Sequence, residues 1–216
     1  MDLTLRRAWT EVVTAEDYEQ HMAAIGQAQA AAELTRHLID AAAPAAGSRV
    51  VVAGAGTGQM LDYLDPAFLR PYRLAFADLN WLFLARLRAR LARHALEAAL
   101  VVDDIERSSL AHGPDLLLAT LLLEHIDWRR GVEAFAALNP SAMGIIIQEN
   151  PPEMTTAVTP GRRLPPSIAN ALENAHPTLV PRGALIAAMA ECGNACRLSV
   201  EREVADGKKL VGLLFD

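Results

Sequence analysis

The feature that most constrains this chain is a series of short apolar runs separated by helical segments. Arg49–Ala53 (RVVVA) is β-branched and runs into glycines, the pattern of a buried strand. Arg73–Ala77, Ala99–Val102, Asp115–Thr120 and Met143–Gln148 repeat it. Between them, residues 59–63, 80–97 and 128–138 read as helices, the longest with Leu84, Leu87 and Leu91 at helical spacing. Strands alternating with helices pair in parallel through right-handed crossovers, which predicts a doubly wound α/β sheet. The end of the chain differs. Arg197–Val204 and Lys209–Phe215 are strand-like runs joined by Ala205-Asp206-Gly207-Lys208, and Asp-Gly in such a joint signals a hairpin. The parallel sheet is therefore expected to finish in an antiparallel hairpin.

Ahead of the first strand, residues 14–42 read as one helix anchored by Ile25, Leu34, Leu38 and Ile39, with Pro44–Ser48 as its breaker. Pro151–Pro181 is rich in proline, with a short helix near Ser167–Asn174. It is too long for a plain connection and is expected to be a functional insertion. A chain of 216 residues fits one domain, large enough to fold without disulfides or a structural metal. The expected division is a helical cap over 1–46, a ligand-binding core over 47–150, an insertion over 151–181, and a last helix and hairpin over 182–216.

Composition excludes several classes. Twenty Lys and Arg against 26 Asp and Glu leave a net charge of −6, with no basic tail. That argues against nucleic-acid and anionic-membrane partners. Met1–Gln20 carries Arg6, Arg7, Glu11, Glu16 and Asp17 and has no apolar signal core. The uncharged residues nearest to a spanning length, Ala134–Gln148, are broken by Asn139-Pro140 and fall short of the ~18 required. Cys192 and Cys196 read as two small buried residues, without metal. Arg86, Arg90 and Arg93 form a stripe opposite the leucines, the pattern of a solvated helix face. A cytoplasmic monomer or homodimer is expected.

In doubly wound sheets a ligand sits at the carboxyl ends of the strands. Gly54-Ala55-Gly56-Thr57-Gly58-Gln59 follows strand one, where glycines let the backbone turn tightly and approach a ligand. Gln59 replaces the third small residue of a dinucleotide fingerprint, and the Lys-Ser/Thr of a phosphate loop is missing. Asp78 ends strand two, 24 residues after Gly54, where a carboxylate can accept from two ribose hydroxyls. Asp103-Asp104-Ile105 ends strand three, and an apolar step from Thr120 to Leu123 leaves strand four. One such acid reads as a helix cap; acids at the ends of neighbouring strands read as ligand contacts.

Taken in order, VVVAGAGTGQ, FADLN, VVDDIE and DLLLATLLLEHID, with the terminal hairpin, resemble class I S-adenosylmethionine-dependent methyltransferases over about Arg49–Asn150. The resemblance implies a seven-stranded sheet of order 3-2-1-4-5-7-6, S-adenosyl-L-methionine as cofactor, and methyl transfer to a small-molecule acceptor. Carried over, Gly54, Gly56 and Gly58, with Ala55 and Thr57 between them, line the methionine portion. Asp78 holds the ribose, Asp104 the adenine amino group with Ile105 beside the ring, and Leu121 to Leu123 the cofactor's inner edge; Leu79, Asp103 and Thr120 are further expected cofactor contacts. Val52 stands where many members have an acid, which leaves the cofactor's ammonium to another group. Asn150-Pro151-Pro152 follows strand five, not strand four, and reads as a structural stop.

The acceptor chamber is expected between the N-terminal Trp9, Tyr18, His21, Met22 and Gln27 and the insertion's Met154, Arg162, Arg163 and His176. His125, just after strand four, is the first candidate base and His21 the second. Glu124 and Asp127 are placed in sequence to orient the His125 ring or raise its basicity. Two other classes share these features: a methyltransferase acting on protein or RNA, and a non-catalytic relative kept for binding.

Overall fold

A computed structural model describes residues 3–159, 161–173 and 175–216. In chain order the elements are α1 (Leu3–Arg7), a π-helical turn (Ala8–Val12), α2 (Ala15–Ala24), α3 (Gln27–Ala42), β1 (Arg49–Ala53), α4 (Pro66–Leu69), β2 (Arg73–Asp78) and α5 (Trp81–Arg93). Then come β3 (Ala98–Val102), β4 (Leu116–Thr120), α6 (Trp128–Ala137), β5 (Met143–Glu149), α7 (Pro166–Leu172), α8 (Arg182–Glu191), β6 (Cys196–Glu203) and β7 (Lys209–Phe215). The strands form one seven-stranded sheet of order β3-β2-β1-β4-β5-β7-β6. β1 to β5 are parallel, and β7 runs antiparallel between β5 and β6. Sheet, order and hairpin are as expected.

Alternation along β1 builds the two apolar layers. Val50 and Val52 face α3 and α5, packing with Leu34, Leu38, Leu84 and Leu87. Val51 faces the other way, into a layer with Leu117 and Ile145 of the sheet, Phe135 of α6 and Leu185 and Met189 of α8. Successive strand residues point to opposite faces, so a doubly covered strand needs β-branched residues throughout. A third, smaller cluster lies apart from these, joining Ala8 and Val13 to Ile168, Ala171 and Ala175 through Phe83.

Four expectations are corrected. The single helix over 14–42 is two, broken at Gly26, whose left-handed φ of 69° ends α2 and lets α3 start in a new direction. Since Leu34 and Leu38 of α3 are fully buried, α3 belongs to the core and the cap stops near Gly26. Cys192 is exposed at the end of α8 and Cys196 half-buried in β6, so they are neither jointly buried nor on one helix. The fourth is Arg90, expected on a solvated face but only 6% exposed. It reaches Glu19 at 3.0 Å and Asp62 at 2.9 Å and donates to the Thr57 carbonyl, tying α2 to the glycine loop.

No group of three His, Cys, Asp or Glu fit for a metal exists among the described residues. No described helix is long and apolar enough to cross a membrane. The short helix of the insertion spans Pro166–Leu172, and its expected end at Asn174 lies outside the described residues.

Candidate functional site

The carboxyl ends of β1 to β5 open into one chamber roofed by α1, the π-helical turn, α2 and α7. On its floor the glycine loop alternates into left-handed backbone, with φ of 63° at Gly54, 57° at Gly56 and 71° at Gly58. Asp78 fastens it: Oδ2 accepts from the Gly56 amide at 2.7 Å, and Oδ1 from the Asn80 amide at 2.8 Å. Each oxygen keeps a further lone pair. Burial pushes the Asp78 carboxyl up, and these backbone donors oppose the shift. Asn80 caps α5 through Leu82 and donates to the Trp9 carbonyl at 2.7 Å, so the same corner anchors floor and roof.

Of the residues singled out by sequence, Gly54, Gly56, Asp78, Leu79, Asp103, Asp104, Ile105, Thr120, Leu121, His21 and His125 all line the chamber. Ala55, Thr57 and Gly58 stand behind its wall. Ala55 packs on the inner layer, Thr57 is fully buried, and a side chain at Gly58 would collide with Leu87. Asp103 turns its carboxylate to Ser109, accepting from the amide at 2.7 Å and the hydroxyl at 3.0 Å. Asp104 accepts from Arg6 at 2.7 Å. Leu121 holds a φ of 51°, a strained conformation for a branched residue that turns the chain at the chamber edge. Met154, Arg163 and His176 do not line the chamber, whereas Arg162 does.

His125 does not receive the support expected for a base. Asp127 caps α6, and Glu124 accepts from the Gln148 amide at 2.7 Å. The ring lies edge-on to Trp9, 4.5 Å between centroids, with Nδ1 buried and unpartnered among the described residues. Burial lowers its pKa to about 4. His21 is lowered too, by burial first and then by Arg162 and Lys208. These causes shift His21 downward, and His125 is not held near neutrality.

Glu124 is. Burial raises its carboxyl to about 7, and Oε2 lies buried without a hydrogen-bond partner among the described residues. A polar chain surrounds it: Gln148 accepts from Gln27 Nε2 at 2.8 Å and donates to the Ala157 carbonyl at 2.9 Å. Lys208 donates to the same carbonyl at 2.7 Å. Sequence reasoning reaches Gln27 but treats Glu124 only as a helper, and it overlooks Gln148 and Lys208. The one signal for Glu124 is its place just after an apolar strand, inside a buried turn.

This sheet order and terminal hairpin define the class I S-adenosylmethionine-dependent methyltransferase fold. The chain is similar to magnesium protoporphyrin IX methyltransferase from Synechocystis PCC 6803 with bound SAH, at TM-score 0.65 and 10% identity, over 87% of this chain and 81% of that one. It is similar to the N-methyltransferase NodS from Bradyrhizobium japonicum WM9 in complex with SAH, at TM-score 0.56 and 14% identity, over 85% and 83%. The [4+2]-cyclase SpnF has the same fold, at TM-score 0.66 and 11% identity, over 87% and 80%. No protein-family model matches the chain, and no curated protein does.

Proposed function

We propose that this protein transfers a methyl group from S-adenosylmethionine to a small molecule. The observation that carries the reading is the continuity of one roofed chamber, from Gly56, Asp78 and Asp104 at one end to Glu124, Gln148 and Lys208 at the other. The donor set suits the cofactor. The free lone pairs of Asp78 can accept from ribose hydroxyls, Gly56 leaves space where a side chain would stand, and Ile105 offers an apolar face to a ring. Asp104 accepts from an exocyclic amine once Arg6 yields.

Held there by Gly56, Asp78 and Asp104, S-adenosylmethionine would supply an electrophilic methyl on a sulfonium, to be displaced by an acceptor lone pair with the carbon–sulfur electron pair left on sulfur. The protein's part is alignment and exclusion of water. Trp9, Tyr18 and Phe83 close the roof side with apolar rings. Where the acceptor carries a proton, Glu124 takes it at Oε2, since a base near pH 7 is matched to the task. The roof also favours a small acceptor over a protein or RNA segment.

Calorimetry with S-adenosylmethionine and S-adenosylhomocysteine tests the cofactor. Because the fold also carries a cyclase, transfer itself needs turnover: release of S-adenosylhomocysteine in step with a methylated product from a library of small acceptors. Absence of cofactor binding would overturn the reading.

A further inference from the structure

Lys208 occupies the end of the hairpin turn, a place where lysine is ordinarily solvated, yet it is 6% exposed and lines the far end of the chamber. Its ammonium has three donors. Among the described residues one is used, on the Ala157 carbonyl, and no carboxylate pairs with it. Asp206, two residues earlier, is committed elsewhere. Arg162 Nη2 lies 2.8 Å from each of its oxygens, and Thr159 Oγ1 donates to it at 2.6 Å. One positive charge is therefore left uncompensated against a largely apolar chamber. A buried, unpaired ammonium is strongly unfavourable and persists only where something compensates it. Burial is the main cause that holds the Lys208 pKa down, with Arg162 adding to it and Asp206 opposing. His21, facing the same two cations, has its pKa lowered and brings no compensating charge.

We propose that Lys208, flanked by the Arg162–Asp206 pair, is the recognition point for a carboxylate carried by the methyl acceptor. This deepens the methyl-transfer reading and rests on it. A monoanion matches the single surplus charge, whereas a phosphate dianion would leave a negative charge buried in its turn. The polar chain from Lys208 through Ala157 and Gln148 to Glu124 then places anion recognition and proton removal on one wall, at separate points.

The test is a matched pair of probes, benzoate and benzamide, titrated by calorimetry into the full chain with and without saturating S-adenosylhomocysteine. Benzoate should bind at least about tenfold more tightly than benzamide, as charge-assisted hydrogen bonds outweigh neutral ones. Lys208→Met should remove that preference and leave S-adenosylhomocysteine binding in place. Its melting temperature should hold or rise, because an unpaired buried charge is replaced by an apolar chain of similar shape. A structural lysine would instead lower it. Equal binding of acid and amide, a preference that survives in Lys208→Met, or no benzoate binding would each overturn the proposal. Loss of S-adenosylhomocysteine binding in the parent protein would strike the methyl-transfer reading instead, and the titration without it would still decide on Lys208.

Discussion

Arg6 Nη1 stands 2.7 Å from Asp104 Oδ2, closing the first helix onto the loop after β3. With this contact made, the chamber holds about 190 Å³, below the ~300 Å³ at which ordinary ligand sites begin. Cofactor and acceptor together are therefore expected to move the roof. The Arg6 side chain is 42% exposed, so the pair is weak, worth up to ~1 kcal/mol. Arg6→Ala should speed hydrogen exchange across residues 3–12 by up to about fivefold, read by mass spectrometry. Added S-adenosylhomocysteine should slow exchange in α2 and α7. Unchanged exchange in a protein shown to bind would rule out a moving roof.

Asp78→Ala should weaken S-adenosylhomocysteine by roughly 1.5–3 kcal/mol, because it removes hydrogen bonds to a charged group. Since Asp78 also holds the Gly56 and Asn80 amides, Asp78→Asn serves as a control that keeps one acceptor oxygen. Calorimetry separates the two, and unaltered affinity in Asp78→Ala would refute the ribose assignment.

Gly56→Val should abolish cofactor binding while circular dichroism still reports the native sheet. A β-carbon there would lie 3.2 Å from the Tyr18 hydroxyl, and a φ of 57° is disfavoured for a branched side chain. Normal binding by a folded variant would reduce this glycine to a turn residue.

Glu124 ties stability to pH. Its carboxyl rises from 4.5 to about 7, so between those values the folded chain keeps a proton that the unfolded chain has lost. The stabilisation from this group is complete below about 4.5 and is lost as pH climbs through 7. Glu124→Gln should flatten that slope, gaining on the order of 3 kcal/mol over the parent between pH ~4 and ~8 in urea titrations. With a protonated acceptor, the parent's single-turnover rate should rise with pH through about 7. The Gln variant should lose that rise and run about 10²–10⁴ slower. His125→Asn should leave the profile in place.

Arg90→Met should destabilise the fold by roughly 1.5–3 kcal/mol: Glu19 keeps Arg86 as a partner but loses one charged donor, and the Thr57 carbonyl loses its own. A denaturation midpoint equal to the parent's would show that these contacts add nothing.

The sheet is legible in the sequence because its strands carry unbroken apolar runs and its turns carry Gly and Asp-Gly. Such signals are local. Helical spacing alone puts Arg90 on the polar stripe, while the partners that bury it, Glu19 and Asp62, arrive from segments 71 and 28 residues away. Lys208 is hidden for a similar reason: its turn chemistry says solvent, and the loop at Ala157 that covers it is remote in sequence. His125 shows the opposite error. Its position near the chamber is readable, but the support it needs as a base depends on where Glu124 and Asp127 point, and each points elsewhere.

The placement of β7 between β5 and β6 has a consequence for the chain as it is made. β5 is buried along nearly its whole length, and its outer edge is satisfied by the seven residues Lys209–Phe215. Until the ribosome has released that stretch, Met143–Glu149 presents an open, apolar, hydrogen-bond-hungry edge of the kind that recruits strands from other chains. The hazard to the nascent protein therefore lasts throughout synthesis of the segment that separates the two strands. Insertion of β7 both ends it and carries Lys208 into the wall of the chamber.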